Sequence, residues 1–399
     1  MKTVGIISEY NPFHNGHKYQ IEKVKEELNA DNVVCIMSGN YTQRGELSII
    51  DKYKKSQIAI NNGADLVIEL PFVYACSTAE IFSSSAVSIL NSLGIIDYLC
   101  FGMEDSEKLE DITAVCKFLL TESEEYKIKL KEYLKLGYSY ISSRENAVKD
   151  ILNIDTSFMS SPNNILAMEY IKELIKLKSN IKPYPIKRTA AYKSTDSSNK
   201  FLSAFGIREK ILSGEDISNF VPNNSYSFYS TLNRANSQVI DNYFITIKNI
   251  ILSMESEELY NYADMEIGLN NRIYNNIFDS ENIEDLLNRV STKRYTKNRI
   301  RRILIHILTN YTKDELNKYK MHTPKFIKVL GFNNNGRELL KQIKNNDIKI
   351  FNNYNKDINK LNEPDKEIIK KNIKADNIYN VNHDKFNLDF YKMAFYKDK

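Results

Sequence analysis

Two of the chain's five histidines lie in one short stretch, Gly-Ile-Ile-Ser-Glu-Tyr-Asn-Pro-Phe-His-Asn-Gly-His, which runs from Gly5 to His17. Its pattern predicts an apolar strand, a short loop and the start of a long helix. A helix start has unpaired N–H groups and a partial positive charge, so it suits phosphate. Gly16 would admit a ligand to the backbone, and the imidazoles of His14 and His17 can donate hydrogen bonds to phosphate oxygens. We therefore predict a phosphate site with His14 and His17 as catalytic residues; a turn that holds two histidines without a function is the alternative.

Strand and helix patterns alternate through the first half of the chain, and they determine where this loop lies. Strands are predicted at Val4–Ile7, Val33–Met37, Asp65–Leu70, Asp97–Phe101 and Pro183–Lys187. Helices are predicted at His17–Leu28, Lys52–Asn61, Thr78–Leu93, Lys108–Leu120, Glu125–Leu136 and Asn164–Leu177. This alternation predicts an α/β fold with a doubly wound, Rossmann-like parallel sheet, which binds ligands at the carboxyl ends of its strands. The first strand would be central, so the histidine loop would lie at the switch point of the sheet.

The second half of the chain has a different pattern. From about residue 225 the strand signal fades and helices dominate. They are predicted at Ser237–Met254, Asn270–Asn276, Ile283–Arg289, Thr296–Asn310 and Arg337–Lys344. We place a domain boundary near Pro222–Ser227, which gives a catalytic sheet domain of residues 1–224 and a helical domain of residues 225–399.

Four further residues are predicted to face the same edge of the sheet. Arg44 follows the second strand, Gly102 follows the fourth, and Lys187 and Arg188 end the fifth. Because the carboxyl ends of parallel strands meet at one edge, Arg44 would steer an anion or an RNA phosphate and Gly102 would let the backbone approach an adenosine. Lys187 and Arg188 would place two cations at the rim of the crevice. A solvated arginine in a glycine turn is the alternative for Arg44, and a surface salt bridge is the alternative for Arg188.

Two predicted helix starts also carry polar groups. Ser161-Pro162 is typical of a cap followed by proline at the first helical position, and Asn163 and Asn164 come next. An amide pair near a nucleotide can recognise ribose or adenine, although a cap needs no further function. The stretch Ser203–Arg208 starts another helix, from which Arg208 can reach a phosphate; a surface salt bridge is again the alternative.

A basic segment begins one helix of the second half. It carries six cations between positions 293 and 302 and no acid: Lys293, Arg294, Lys297, Arg299, Arg301 and Arg302. A helix of one charge sign with an interleaved Tyr295 is typical of a surface that binds a nucleic-acid backbone. Apolar residues recur at helical spacing from Ile300 to Ile307, so the opposite face should pack on the protein. We predict RNA binding by this segment and by Arg44; a merely solvated basic face is the alternative.

Composition fits an ordinary globular protein, with 399 residues of which 42% are hydrophobic and 27% charged. The net charge is only +4, so any affinity for nucleic acid must come from local patches. The four cysteines, at positions 35, 76, 100 and 116, form no C-x-x-C pair, so we expect reduced core thiols and no metal site. We find no signal peptide and no apolar run of about 18 residues, so we expect a cytoplasmic protein without a membrane partner.

The first stretch closely resembles the signature of the nucleotidylyltransferase superfamily, in which a G-x-x-N-P-F-H-x-G-H-type loop binds ATP. Further blocks resemble one family within it, the tRNA(Met) cytidine acetate ligases. The blocks are Asn11–His17, Gly39–Glu46, Ala64–Phe72, Ser161–Leu166, Ile186–Arg188, Thr292–Thr296 and Val329–Phe332. The resemblance covers nearly the whole chain, and no P-loop or dinucleotide fingerprint competes with it.

This resemblance implies a fold, a reaction and a set of site residues. The sheet domain would be a HUP-type catalytic domain, and the helical domain would bind tRNA. ATP, accompanied by Mg²⁺, would activate acetate as acetyl-adenylate, and the acetyl group would pass to the exocyclic amine of the wobble cytidine in elongator tRNA(Met). No protein partner is implied. The ATP contacts would be Ile7, Ser8, Glu9, Tyr10, Asn11, Pro12, Phe13, His14, Asn15, Gly16, His17, Lys18, Tyr19, Gln20, Gly102, Asn163, Asn164, Lys187 and Arg188.

Two places depart from the family pattern. Residues 189–193, Thr-Ala-Ala-Tyr-Lys, replace a glycine-rich stretch that ends in Tyr-His, and Phe205 stands where the superfamily's S-x-T-x-I-R motif has Thr. These changes bear on Ser203 and Arg208 as phosphate ligands and on the identity of the substrate. Two other functions stay open: an adenylyltransferase of a small phosphorylated metabolite, whose helical domain only forms oligomers, and an RNA-binding protein with a relic ATP site. The basic helix favours the ligase, and the intact histidine pair opposes the relic site.

Overall fold

The computed structural model describes residues 1–188, 201–235, 237–344, 346, 348–383 and 386–398. Its centre is one sheet of strands β1 (Thr3–Ser8), β2 (Asn32–Ser38), β3 (Leu66–Leu70), β4 (Tyr98–Met103), β5 (Lys182–Lys187), β6 (Phe326–Asn333), β7 (Lys349–Phe351) and β8 (Phe395–Lys397). The strand order is β5-β4-β1-β2-β3-β6-β7, and β8 also pairs with β6. The first five strands are parallel, which confirms the predicted α/β class.

Helices connect and cover these strands. In the first part of the chain they are α1 (Asn15–Glu27), α2 (Lys52–Asn61), α3 (Phe72–Ala75), α4 (Ala79–Ser92), α5 (Leu109–Thr121), α6 (Glu124–Lys135), α7 (Tyr140–Leu152), α8 (Pro162–Lys176), α9 (Ala204–Ser213) and α10 (Asn223–Tyr226). Later helices are α11 (Phe244–Leu252), α12 (Leu269–Ile277), α13 (Ile283–Val290), α14 (Lys297–Leu308), α15 (Lys313–Tyr319), α16 (Asn334–Ile343), α17 (Tyr354–Asp357), α18 (Glu363–Tyr379) and α19 (Leu388–Tyr391). Short 3₁₀ turns lie at Ser106–Lys108, Ser157–Ser160, Ile240–Tyr243, Glu258–Asn261, Ile358–Lys360 and Val381–His383.

The predicted central position of β1 is confirmed. This strand pairs with β2 on one side and with β4 on the other. The chain leaves the sheet to opposite sides at this point, which opens a crevice at the carboxyl ends of the strands. Strands β2 and β3 are buried along their whole length, as expected for parallel strands that helices cover on both faces.

The C-terminal part of the chain adds three strands that were not predicted from the sequence. Strand β6 pairs with β3 in the antiparallel direction, and β7 and β8 both pair with β6. The apolar run of β6 is short, and periodicity alone does not separate a short buried strand from a helix. The helices α11 to α15 lie where a helical region was expected. A domain boundary at residue 224 stays a prediction. The C-terminal part of the chain returns to the sheet that β1 to β5 form, and adds β6, β7 and β8 to it.

Apolar side chains fill both faces of the sheet. One core includes α4, α8 and α14, and a second core includes α1, α2 and α9. All four cysteines are free and buried, in agreement with the expected core thiols. In the part of the chain that the structure describes, no helix is long and apolar enough to cross a membrane.

A buried ionic cluster joins α18 to the sheet. The ammonium of Lys52 in α2 lies 2.9 Å from the carboxylate of Glu69 in β3, 2.5 Å from that of Asp376 in α18 and 3.3 Å from that of Asp389. Only 1% of the Lys52 side chain is exposed. Because buried charges are costly unless they are paired, this cluster fixes α18 against β3.

Candidate active site

A cleft opens at the carboxyl ends of β1, β2, β4 and β5. Most of the predicted ATP contacts line it: Ile7, Ser8, Glu9, Tyr10, Asn11, His14, Gly16, His17, Tyr19, Gln20, Gly102, Asn163, Lys187 and Arg188. Predicted residues from distant parts of the sequence are therefore brought together at the switch point of the sheet.

The other predicted ATP contacts do not line this cleft: Pro12, Phe13, Asn15, Lys18 and Asn164. Phe13 is buried, and its N–H donates to the hydroxyl of Tyr229 at 3.2 Å. The side chain of Asn15 donates to the carbonyl oxygen of Asn219 at 2.9 Å, and that of Asn164 donates to the carboxylate of Asp105 at 2.6 Å. These three contacts hold the loops in place, and contact of the five residues with ATP stays a prediction.

His14 and His17 are locked together at the start of α1. The Nδ1 atom of His14 accepts a hydrogen bond from the N–H of Gly16 at 3.0 Å, and Nδ1 of His17 accepts one from the N–H of His14 at 3.2 Å. The two rings stack with their centroids 3.8 Å apart. A Cβ atom at position 16 would lie 2.9 Å from Cε1 of His14, so this arrangement requires glycine. Because each Nδ1 is an acceptor, the proton of each neutral ring lies on Nε2.

Both imidazoles are neutral at physiological pH. Burial lowers the pKa of His14 to about 3, and the charges of Arg188 and Arg208 act in the same direction. Burial also lowers the pKa of His17 well below its usual value. The pair therefore presents two uncharged, fixed Nε2–H donors.

Arg208 joins the loops that follow β1 and β2. Its guanidinium donates to the carbonyl oxygen of Asn11 at 2.6 Å and to the carboxylate of Glu46 at 2.5 Å. Ser203 accepts a hydrogen bond from the N–H of Gly206 and so caps α9, the helix that carries this arginine. Phe205 lies beside the guanidinium, with 5.9 Å between its ring centroid and Cζ. Ser203 and Arg208 both line the cleft, and their contact with phosphate stays a prediction.

Cations also surround the far end of the cleft, where β4 and β5 end. A Cβ atom at Gly102 would lie 3.1 Å from Cγ of Arg188, so the missing side chain makes room for this arginine. Lys187 lies at the exposed rim, 3.5 Å from the carboxylate of Glu107. Gly102 is thus a point of close approach, although its approach to an adenosine stays a prediction. Residues 189–193, where the family pattern changes, lie outside the described residues.

Part of the cleft wall is apolar. Phe82, Phe101, Leu166 and Tyr170 line it, and the rings of Phe101 and Tyr170 are 5.7 Å apart. Glu9 lies close enough to Tyr170 to act on the pKa of that phenol. The cleft thus combines a wall without charge with a cationic rim and two neutral donors. Such a site can hold a polyanion beside a small apolar group and align the two for reaction.

Known proteins resemble this chain over its whole length. The family model for HIGH Nucleotidyl Transferase matches residues 1–392. The tRNA(Met) cytidine acetate ligase of Clostridium novyi (strain NT) is 40% identical over 352 residues, which are 86% of this chain and 88% of that protein. The chain belongs to this family of nucleotidyl transferases, among the tRNA(Met) cytidine acetate ligases. A second member, from Clostridium perfringens (strain ATCC 13124), is 38% identical over 394 residues, which are 95% of each chain.

Two solved structures from the family share the fold. Thermotoga maritima TmcAL bound with alpha-thio ATP is 28% identical and has a TM-score of 0.91. The apo form of the same protein is 29% identical and has a TM-score of 0.93. Each comparison covers 100% of both chains, so the arrangement of sheet and helices is common to family members.

The inner cations of the basic segment are paired with acids from other elements. Arg302 lies 2.9 Å from Asp264, and Arg299 lies 2.9 Å from Glu266. Arg301 lies 3.8 Å from Glu46. Acidic side chains therefore neutralise most of the charge on the inner face of this segment. The sequence alone did not show this, because the acidic partners are distant along the chain.

The outer cations of this segment are more exposed. Arg294 pairs with Glu266 at 2.7 Å although 72% of its side chain is exposed, and Lys297 pairs with Glu284 at 2.5 Å. Lys293 is also exposed. RNA binding by these residues stays a prediction, and exposure favours this outer group over the inner one.

Several residues at the site were not predicted from the sequence. Gln43 and Glu46 flank the predicted Arg44 in the loop after β2, and all three line the cleft. Below them, the ammonium of Lys55 donates to the carbonyl oxygens of Glu9, Ser38 and Gly39 at 2.9, 2.8 and 2.7 Å. The helical spacing of Lys55 with buried residues of α2 was the only signal that a lysine would point inward here.

Proposed function

We propose that this protein is a ligase that uses ATP to join acetate to a tRNA base. Acetate is first activated as acetyl-adenylate, and the acetyl group then passes to the N4 amine of the wobble cytidine in elongator tRNA(Met), giving N(4)-acetylcytidine. The observation that carries this proposal is the pair of Nε2-protonated imidazoles at the switch point. The names of the Clostridium relatives suggest the substrates, and the Thermotoga maritima protein has been solved with an ATP analogue.

The first step needs alignment and charge stabilisation more than a covalent partner. An acetate oxygen attacks the α-phosphorus, and the bond to the leaving pyrophosphate breaks on the opposite side. Negative charge builds on the leaving phosphates, so fixed donors around them lower the barrier. His14 and His17 supply Nε2–H groups, α1 supplies N-terminal N–H groups, and Arg188 and Arg208 supply positive charge.

Mg²⁺ is proposed to arrive with the triphosphate and to neutralise part of its charge. It prefers phosphate and carboxylate oxygens and keeps several of its waters. Across the described ranges, no group of three or more His, Cys, Asp or Glu side chains is placed to hold a metal ion. The phosphate oxygens of ATP, together with water molecules, would therefore be the main ligands of the Mg²⁺ ion.

The tRNA is proposed to approach the cleft from the side of α14. Arg44 lines the cleft, and its loop packs on α14 so closely that a Cβ atom at Gly45 would lie 2.4 Å from the backbone N of Arg302. From there the exposed group of Lys293, Arg294 and Lys297 would meet tRNA phosphates. We accordingly assign RNA binding to the helical part of the chain, and we place this reaction in the cytoplasm, where tRNA and ATP meet.

One assay with omissions tests the proposal. The protein is incubated with ATP, Mg²⁺, labelled acetate and an unmodified elongator tRNA(Met) transcript; each component is left out in turn, and the RNA is digested to nucleosides. We expect AMP and pyrophosphate as products and label in acetylated cytidine alone, without any need for acetyl-CoA. An adenylyltransferase of a small metabolite would leave the RNA unlabelled and join AMP to the metabolite. Unlabelled RNA in the complete reaction would refute the ligase.

A further inference from the structure

The transfer step of the proposed function releases a proton that the cleft must accept. The N4 amine of cytidine is a weak nucleophile, and its nitrogen has to lose a proton when it forms an amide. A well-placed general base speeds a step of this kind by ~10²–10⁴-fold. The cleft should therefore contain a side chain that can take the proton.

Most ionisable groups of the cleft are unsuited to this role. The Nδ1 atoms of His14 and His17 already accept backbone N–H groups, and their Nε2 atoms carry protons. Burial raises the pKa values of Tyr10 and Tyr170, so these phenols keep their protons. Arginine remains charged at any pH at which the protein is folded.

Two carboxylates line the cleft within the described residues, Glu9 and Glu46. Glu46 accepts a hydrogen bond from Arg208 at 2.5 Å and lies 3.8 Å from Arg301. Two arginines occupy this carboxylate. Glu46 is thus better suited to holding Arg208 in position.

Glu9 has a different environment. Its Oε1 atom accepts a hydrogen bond from the N–H of Gln43 at 2.7 Å, and its other oxygen accepts none from the described part of the chain. Burial raises the pKa of this carboxyl, a change that Glu46 reinforces and that the Gln43 hydrogen bond and the charges of Arg44 and Lys55 oppose. One oxygen therefore fixes the side chain, and the second is available to a substrate.

We propose that Glu9 is the general base of acetyl transfer, an inference that rests on the proposed function. The N4 nitrogen of cytidine forms a bond to the acetyl carbon of acetyl-adenylate. The bond between that carbon and the phosphate oxygen breaks, and AMP leaves with the electron pair. The N4 proton passes to the second oxygen of Glu9 and from there to solvent. Glu9 thus acts in the second step, whereas His14 and His17 act in the first.

The variant Glu9→Gln separates the two steps. Its side-chain carbonyl can still accept the N–H of Gln43, but it has no basic oxygen. Because Glu9 is also a predicted ATP contact, acetate-dependent exchange of pyrophosphate into ATP should fall to some extent, but by a much smaller factor than transfer. Transfer from supplied acetyl-adenylate to tRNA should fall by ~10²–10⁴-fold. Glu80→Gln is the matched control, since Glu80 is exposed at the start of α4, and it should leave both rates unchanged.

The pH dependence of transfer gives a second readout, which a merely structural role would not move. In the wild type the single-turnover rate of transfer should rise with pH as one carboxyl ionises. The rate in Glu9→Gln should not show this rise. Glu9→Asp should show it, with a lower rate at each pH. Normal transfer by Glu9→Gln would overturn the proposal, and so would equal loss of exchange and transfer, which would assign Glu9 to ATP binding. A wild-type protein without acetate-dependent exchange would instead refute the proposed function itself.

Discussion

At the scale of single residues, burial decides the protonation of the histidine pair. Among the residues that the structure describes, the charged groups that act on the pKa of His14 are the arginines Arg188 and Arg208, and no carboxylate is among them. Two neutral rings can approach within stacking distance without repulsion, and both can donate from Nε2. A charged pair would attract phosphate more strongly at long range, but it would repel itself and would compete with the arginines for the same oxygens.

His17→Ala should abolish formation of the adenylate while leaving the fold intact. Removing one donor aimed at transition-state charge typically lowers a rate by ~10²–10³-fold, or about 2.7–4 kcal/mol. Pyrophosphate exchange into ATP measures this loss, and His14→Ala should act in the same direction. Glu22→Ala on the exposed side of α1 is the control. An exchange rate near wild type in His17→Ala would mean that this ring does not face the phosphates.

His14 should make the protein sensitive to acid. Its pKa is about 3 in the folded state and about 6.5 in an unfolded chain, so between these values the unfolded chain binds more protons. The free energy of unfolding should therefore fall as pH decreases from 6.5, by about 2 kcal/mol at pH 5 from this residue alone. Denaturant unfolding at pH 7.5 and pH 5 measures the difference. It should be smaller in His14→Gln, and an equal difference would contradict the assigned protonation state.

At the scale of elements, α14 is both a packing helix and a candidate RNA surface. Its inner arginines bind Asp264, Glu266 and Glu46, and the last of these also holds Arg208 at the cleft. This chain of contacts links the position of the helix to that of a cleft residue. The same helix therefore helps to position Arg208 through Glu46, and its exposed cations lie near the cleft.

Arg302→Ala should destabilise the protein much more than Arg294→Ala. Arg302 and Asp264 are each 9% exposed, so removing the arginine leaves a buried carboxylate without its partner. Breaking such a pair typically costs about 3–5 kcal/mol, whereas an exposed pair such as that of Arg294 contributes about 0–1 kcal/mol. Chemical denaturation of the two variants gives the comparison. Equal effects would mean that α14 is held by its apolar face alone.

The exposed cations should control RNA affinity. Replacing Lys293, Arg294 and Lys297 with Glu should weaken tRNA binding and lower the magnitude of the salt slope by roughly 0.7–0.9 for each lost phosphate contact. Acetate-dependent pyrophosphate exchange should not change. A triple replacement of the exposed Lys318, Lys341 and Lys360 is the charge-matched control. An unchanged salt slope in the first variant would place the RNA on another surface.

Local patterns predicted the first half of this fold well, and tertiary contacts explain what they missed. Strands β1 to β5 lie within two residues of their predicted positions, because apolar runs and glycine turns are local signals. Strand β6 and helix α18 were not predicted, since their apolar residues are buried by partners far away in sequence. The histidine loop was predictable from adjacent residues, whereas the contacts of Glu9 and Arg208 depend on loops that meet only in the folded chain.

At the scale of the whole molecule, the ionic cluster around Lys52 joins α18 and Asp389 of α19 to the sheet. Asn40, at the start of the loop that carries Arg44, donates to Asp376 at 2.7 Å and accepts from the N–H of Lys52 at 2.8 Å. The cluster therefore reaches the cleft through this loop. A substitution in α18 that breaks these contacts should therefore alter the loop that carries Arg44 as well as lower the stability of the protein.

Lys52→Met should destabilise the whole protein by about 3–5 kcal/mol, because it leaves Glu69, Asp376 and Asp389 buried beside one another with less positive charge. Lys54→Met is the matched control, since that side chain is 49% exposed. Thermal and denaturant unfolding should both show the difference. A single cooperative transition in each protein would indicate that the C-terminal segment and the sheet unfold together, and a separate early transition in Lys52→Met would contradict that coupling.

The pairing of β3 with β6 has a consequence for the order in which the chain is made. Strand β3 ends at Leu70, and β6, the strand that pairs with its outer edge, begins only at Phe326. A ribosome that adds 5–20 residues per second needs on the order of ten seconds or more to make the intervening chain. During that time the edge of β3 presents unpaired N–H and C=O groups, which can pair with a neighbouring nascent chain. Completion of this sheet is therefore a late event of translation, and shortened products that stop before Phe326 should aggregate.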